Sequence, residues 1–277
     1  MIDLHLHTTA SDGRSTPVEL VDFAAQAGLR VMSVTDHDTV AAVADVKAFA
    51  ADRGIEAISG IEVTAVLRGR DVHMLGYFYD PADPAFRSFL LSQRQARIER
   101  VEAIVARLAE LKMSVNFSNQ LEAARRGIGP SLARPHVARA MVAAGHVRDV
   151  KEAFDAWLSE GQPAFMERTG PSPAGVIAAV HDAGGLVSLA HPGRTRIDAD
   201  IPDLVAAGLD ALEVFHSDHD ENTRVRYGAM AAEHGVLATG GTDFHADPAS
   251  ALRVGTVTLP PAEWERLSAA RHRHRRS

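Results

Sequence analysis

Short apolar, β-branched runs alternate along the chain with alanine-rich stretches in which apolar positions recur at three- and four-residue steps. That alternation predicts strands and helices in turn, as in βα units wound around a parallel sheet or barrel. Seven stretches read as strands: "MIDLHLH", "LRVMSVTDH", "IEAISGIEV", "VHMLGYF", "GGLVSLAHP", "ALEVFHS" and "GVLATGGTDFH". Between the first two, "STPVELVDFAAQAGL" has helix punctuation, with Thr16 as N-cap, Pro17 in the first turn and Gly28 as the stop. Similar helices are expected at "VAAVADVKAFAADRG" and "SPAGVIAAVHDAGG". The expected fold class is therefore α/β.

The alternation fails between about residues 84 and 170. Phe86, Phe89, Leu90, Val101, Ile104, Val105, Leu108 and Leu111 keep a helical period there, and no convincing strand intervenes. The segment 84–170 reads as a helical insertion domain in a barrel domain formed by 1–83 and 171–277. Inside it, "GIGPSLARPHVARAMVAAG" predicts a helix that starts between Ser131 and Pro135 and stops at Gly145. Arg94, Arg97 and Arg100 share one side of the first insertion helix, either as a solvated charged face or as a phosphate clamp. The basic tail "RHRHRRS" reads as a disordered end or, alternatively, a phosphate contact.

Polar residues then collect where strands end. His5 and His7 close the first stretch, Asp36, His37 and Asp38 the second, Glu62 lies in the third and His73 in the fourth. His191 ends the fifth, His216 and His219 follow the sixth, and Asp243 and His245 follow the seventh. A parallel barrel gathers its active site at the C-terminal ends of its strands. Each residue alone has an ordinary explanation: a strand histidine, a helix cap, a glutamate paired with an arginine. One multinuclear metal site explains all of them together.

Composition narrows the chemistry. The chain has 277 residues, 46% of them hydrophobic, enough for a full core. It has no cysteine, which excludes thiolate ligands, disulfides and cysteine nucleophiles. Imidazole and carboxylate donors suit Mn²⁺, Zn²⁺ or Fe²⁺. A formal charge of −7 with interspersed signs argues against gripping duplex nucleic acid. With neither a leader pattern nor a long apolar run, a cytoplasmic protein with no membrane contact and no obligate protein partner is expected.

With "HLHTTASDG", "TDHD", "GIEV", "VHMLGY", "AHPGR" and "GTDFH" in this order, the chain resembles the PHP (polymerase and histidinol phosphatase) family of metal-dependent phosphoesterases. The insertion and "HPGR" make it most similar to the bacterial branch acting on nucleoside 3′,5′-bisphosphates and short 5′-phosphorylated RNA. That resemblance implies a distorted (β/α)₇ TIM-like barrel and three divalent ions, manganese foremost. It implies that His5, His7, Glu62 and Asp243 hold the first ion, Asp12, His37 and His245 the second, and Glu62, His73 and His191 the third. Asp36 and Asp38 are expected to orient the imidazoles. Arg134, His136, Arg194 and Arg97 are the expected phosphate contacts.

Three such ions with three carboxylates would leave the bare site near about +3 inside an acidic protein. Attack by a metal-bridging hydroxide on phosphorus is the mechanism this implies, with His191, His219 or a metal-bound water assisting the leaving oxygen. The expected reaction is removal of the 3′-phosphate from a nucleoside bisphosphate, or 5′-to-3′ trimming of short RNA. Histidinol phosphatase or a broad monoesterase is the competing enzyme reading, and a noncatalytic binding module the competing reading of another class. A zinc amidohydrolase is disfavoured, because no lysine stands at a strand end.

Overall fold

Seven strands form one sheet in chain order, a nearly closed barrel whose geometry comes from a computed structural model. Residues 1–248 and 251–274 are described, with the side chains of 272–274 excepted. Strand β1 (Ile2–Leu6) leads through α1 (Pro17–Gln26) to β2 (Val31–Val34), and α2 (Val43–Ala51) leads to β3 (Glu56–Leu67). β4 (Arg70–Tyr77) follows directly. Next come α3 (Pro84–Glu110), α4 (Ser118–Arg125), α5 (Arg134–Ala143), α6 (Val150–Ala153) and a π-helical turn, Phe154–Leu158. The barrel resumes with α7 (Pro173–Asp182), β5 (Leu186–Leu189), α8 (Pro192–Thr195), α9 (Ile201–Ala206) and β6 (Ala211–His216). It ends with α10 (Glu221–His234), β7 (Leu237–Gly241) and α11 (Pro261–His274).

The α1 punctuation is as expected. The Thr16 hydroxyl caps the Glu19 amide while the Glu19 carboxylate accepts from the Thr16 amide at 2.8 Å, and Gly28 turns the chain at φ +74°.

An all-parallel sheet does not form. β4 pairs antiparallel with both β3 and β5. No helix separates β3 from β4. Arg68 and Gly69 both take positive φ, +51° and +79°, which makes the two-residue hairpin turn that matches strand twist. Reversal brings His73, near the start of β4, to the barrel end that the other strands reach with their C-termini.

The barrel closes between β1 and the chain after β7. His7 N–H donates to the Phe244 carbonyl and Asp243 N–H to the His5 carbonyl. The buried Asp3 carboxylate straps the same seam, accepting from the Thr242 amide and hydroxyl and from the Gly255 amide. Gly241 is required there, because a Cβ would stand 2.3 Å from the His5 nitrogen.

Two of the apolar clusters meet along α3. Its first turns, through Phe86 and Leu90, pack with β3–β6, α7 and α10. Its later turns, from Ile98 to Leu108, pack with α4, α5 and the π-helical turn. One 27-residue helix thus carries the second cluster against the mouth of the barrel. No helix among the described residues is long and apolar enough to cross a membrane. The tail expected to be a disordered end starts as helix, since α11 runs to His274; residues 275–277 lie outside the described residues.

Candidate metal centre

Alternation along β1 sends His5 and His7 to the same side, and both rings are fully buried at the barrel mouth. Facing them, Glu62 projects from the middle of β3 and is likewise buried. Its Oε2 lies 3.3 Å from His5 Nε2, 3.2 Å from His7 Nε2 and 3.2 Å from His37 Nδ1. Its Oε1 lies 2.7 Å from His73 Nδ1 and 3.1 Å from His191 Nε2. One carboxylate is therefore surrounded by five imidazoles.

Most of these contacts are not hydrogen bonds. His5 Nε2, His7 Nε2, His37 Nδ1, His73 Nδ1 and Glu62 Oε2 are buried with no hydrogen-bond partner. Buried polar atoms left unpaired this way are costly, and here they converge on shared gaps. Two donors each about 2.0–2.2 Å from a common ion would stand roughly 3.0–3.5 Å apart, the spacing that surrounds Glu62 Oε2. The residues fit a metal better than they fit one another.

Among the described residues four groups of donors converge. His5, His7, Glu62 and Asp243 frame one gap; His7, Asp12, His37 and His245 a second; His37, Glu62 and His73 a third, with His191 against Glu62 beside it; and His5, Glu213 and His216 form a fourth group behind the first. All nine expected ligands are brought together, and His37 reaches toward two gaps.

Hydrogen bonds behind the rings set which nitrogen faces inward. His5 Nδ1 donates to Glu213 Oε1 at 2.9 Å and His245 Nδ1 to the Asp243 carbonyl at 2.9 Å, leaving each Nε2 lone pair toward the carboxylates. Burial drives His37 down to about 3, keeping that ring neutral. Burial opposes charge on His7 as well, but the Asp243 and Glu62 carboxylates beside it raise it to about 10. Glu62 and Asp243 are held well below the usual carboxylate range, because surrounding histidines outweigh burial. Backbone strain is concentrated here too: Asp38, His191 and Asp243 have φ of +50°, +29° and +55°.

Asp36 reaches an imidazole only through Ser11, whose hydroxyl lies 3.5 Å from His7 Nδ1, and Asp38 is hydrogen-bonded to arginines and backbone instead of an imidazole. Asp36 accepts from the Thr8 amide and hydroxyl and from the Ser11 hydroxyl, which folds the loop carrying Asp12 back over β1. Gly13 allows that fold, since a Cβ would come 2.6 Å from the His7 carbonyl. Asp38 Oδ2 takes Arg97 and Arg168 while Oδ1 accepts from the Thr64 amide.

Two histidines expected to serve substrate are otherwise engaged. His136 accepts from the Ala133 amide at Nδ1 and donates to the Ser11 carbonyl from Nε2, and burial lowers it to about 4. It ties the start of α5 to the Asp12 loop. His219 donates from Nδ1 to the Val214 carbonyl and accepts from the Gly193 amide at Nε2, so its neutral ring holds the "HPGR" turn and has no nitrogen left for a leaving oxygen.

Beside the ligands opens a cleft of about 420 Å³, lined by arginines and by an apolar wall that includes Val101, Leu132, Val150 and Phe154. Arg97 lines it, but its guanidinium is held by Asp38, Thr64 and the Leu132 carbonyl. Arg100 and Arg134 share Asp71 Oδ2 at 2.7 and 3.2 Å. Arg94 turns away to the Ala124 and Gly129 carbonyls. Arg194 is 61% exposed at the rim, 3.6 Å from Asp243.

Glu213, Arg168 and Asp71 went unremarked in the sequence. A glutamate inside "ALEVFHS" is the same signal that marked Glu62, a charge in an apolar strand. Glu213 is fully buried, and its second oxygen accepts from the His191 amide at 2.8 Å. His216, noted only as following its strand, points Nε2 at Asp243 Oδ2, 3.4 Å away.

Comparison with known proteins places this geometry. The PHP domain model matches residues 3–160. The 3′,5′-nucleoside bisphosphate phosphatase of Chromobacterium violaceum is 35% identical over 97% of this chain and 96% of its own length. The 5′-3′ exoribonuclease Rnm of Escherichia coli is 32% identical over 94% of this chain and 90% of its own. A solved Bifidobacterium adolescentis structure superposes with a TM-score of 0.87 at 33% identity, covering 97% of this chain and 95% of that one.

Proposed function

Because the chain belongs to the PHP domain family of metal-dependent phosphoesterases, we propose that it removes the 3′-phosphate of nucleoside 3′,5′-bisphosphates and trims short 5′-phosphorylated RNA. The observation that carries this reading is the charge balance of the cleft wall. Two carboxylates, Asp38 and Asp71, hold four guanidiniums, those of Arg97, Arg168, Arg100 and Arg134. These guanidiniums outnumber the carboxylates paired directly with them by two. Burial and the neighbouring Arg100 push Arg134 down to about 10, the expected state of a cation with too little anion near it. A second phosphate supplies that anion, and arginine's planar fork suits it.

The remaining wall suits a nucleoside. Val101, Leu132, Val150 and Phe154 make an apolar surface beside the arginines, the Phe154 ring centre lying 5.8 Å from the Arg134 guanidinium carbon, in a cavity of the size small ligands occupy. Histidinol phosphate has one phosphate and an amino group that this cationic wall would repel, so the bisphosphate is favoured over it. Residues 84–170, as an insertion domain, supply Arg97, Arg100, Arg134, Arg168 and most of that apolar wall.

In this reading His5, His7, Glu62 and Asp243 hold one ion, Asp12, His37 and His245 a second, and Glu62, His73 and His191 a third, with manganese the first choice. Such ions, when bound, neutralise charge on the phosphoryl oxygens and activate water near neutral pH. Glu213 and His245's backbone partner take the outward N–H of their rings, so that Nε2 is the nitrogen aimed at the ions. Arg134 and Arg194 grip and orient the phosphates. His219 serves by holding the turn that carries His191 and Arg194.

A Mn²⁺-supplemented panel of adenosine 3′,5′-bisphosphate, a 5′-phosphorylated oligoribonucleotide, histidinol phosphate and an aryl phosphate tests the proposal. The bisphosphate is expected to have the highest kcat/KM. A preference for histidinol phosphate would overturn it, and no turnover with metal bound would favour a binding module.

A further inference from the structure

A second groove of about 210 Å³ joins the cleft at its His73–His191 edge. Among the expected ligands it touches only those two; Asp12, His37 and His245 face the first cleft alone. It shares Asp71, Arg134 and Arg194 with the first cleft, and its other walls are Arg70 at the β3–β4 turn, Glu160 after the π-helical turn, Phe165, and Thr195 at the end of α8. Arg70 is 49% exposed, 3.8 Å from Glu160, and its guanidinium reaches the Thr195 carbonyl at 3.4 Å. Phe165 is held in place by Arg100 and Arg134, whose guanidinium carbons lie 5.6 and 5.9 Å from the ring centre. The groove is open to solvent and combines a cation with an aromatic ring.

The bisphosphate reaction needs no such groove. Water's oxygen bonds to the 3′-phosphorus, the P–O3′ bond breaks, and O3′ leaves with a proton; the products are a nucleoside 5′-phosphate and inorganic phosphate. Cleaving the first linkage of a 5′-phosphorylated oligonucleotide breaks the same P–O3′ bond. The one difference is that a non-bridging oxygen of the attacked phosphate now carries the next nucleotide. A site closed around the phosphate would exclude that substituent, whereas an exit beside it would admit it. The product would be a chain one unit shorter that again bears a 5′-phosphate, and so a substrate for the next turn.

We propose that the Arg70–Phe165–Thr195 groove binds the part of a single-stranded oligoribonucleotide that continues beyond the scissile phosphate. Arg70 meets the following phosphate and Phe165 offers a surface to the following base, a sequence-tolerant combination suited to single strands. The inference rests on the phosphoesterase reading above and adds where a diester's extra nucleotides go.

Kinetics on adenosine 3′,5′-bisphosphate and a 5′-phosphorylated trinucleotide test it with two charge variants at exposed positions. Arg70→Glu is expected to lower kcat/KM for the trinucleotide about tenfold, mainly through KM, and Glu160→Lys to raise it by a few-fold. Both variants should stay within about twofold of the parent on the bisphosphate. Parallel changes on both substrates, or no change on the trinucleotide, would overturn the assignment. A parent protein that hydrolyses the bisphosphate but not the trinucleotide overturns the groove and the RNA-trimming half of the reading, and leaves the bisphosphate half standing. One that hydrolyses neither overturns the phosphoesterase reading with it.

Discussion

Glu213 joins two expected ligands whose rings stack 5.9 Å apart. One oxygen accepts from the His5 ring and the other from the His191 amide, at 2.9 and 2.8 Å. A glutamine at 213 has only one acceptor oxygen for these two donors. With its NH₂ toward His5, the ring must place its proton on Nε2, the atom that faces the carboxylates. With its NH₂ toward His191, two N–H groups collide at a residue already strained at φ +29°. Glu213→Gln is therefore expected to weaken Mn²⁺ binding about 10–100-fold, the usual cost of losing the partner behind a ligand. Calorimetric titration of the purified variant measures this directly, and unchanged affinity would show that His5 needs no such support. The signal for Glu213 lay in the sequence, but its two partners are 208 and 22 residues away and only the folded sheet joins them.

At the scale of elements, α3 shows what periodicity resolves and what it leaves open. The three-residue spacing of Arg94, Arg97 and Arg100 predicted a shared face, yet the three guanidiniums reach different partners. Small steps around the helix separate them, and each long side chain follows its nearest acceptor. Arg97 and Arg168 pin the insertion to Asp38 on the loop after β2 and hold its carboxyl well below the usual range, against burial. An unfolded Asp38 takes up a proton near pH 4, whereas the folded one does not, so its contribution is full above about pH 4 and fades as pH falls below it. Asp38→Asn leaves two buried guanidiniums without their counter-charge and is expected to cost about 3–5 kcal/mol at neutral pH. Denaturant unfolding between pH 3 and 7 should show that deficit shrinking toward acid. A deficit that does not depend on pH would contradict the pairing. The reversed β4 belongs to this scale as well. Its strand pattern was legible, but its direction depended on a turn at Arg68–Gly69 too short to hold a crossover helix.

Across the whole molecule, the unpaired donors at the barrel mouth are a destabilising feature that only a ligand relieves. Metal that binds the folded chain and not the unfolded one stabilises it by about 2.7 kcal/mol at a hundredfold excess over Kd. For a chain of this size that raises Tm by several degrees, at about 2–4 °C per kcal/mol. Thermal unfolding with excess chelator, and again after Mn²⁺ is restored, should show that drop and its recovery. The double variant His5→Ala, His7→Ala should shrink the difference, because it removes two donors from the first gap and one from the second while the third keeps its own. An equal response in the parent and the double variant would place the stabilising ion elsewhere.

The alternation of apolar runs was enough to predict an α/β chain with a helical interruption, since burial on a strand or helix face is written residue by residue. Polar residues at strand ends were enough to suggest a multinuclear centre, since nothing else explains so many together. Tertiary structure decided which donors share a gap, that His136 and His219 each have both ring nitrogens engaged by backbone groups, and that a second groove opens beside His73 and His191. Those outcomes depend on distances between residues remote in the chain, and only the closed barrel sets such distances.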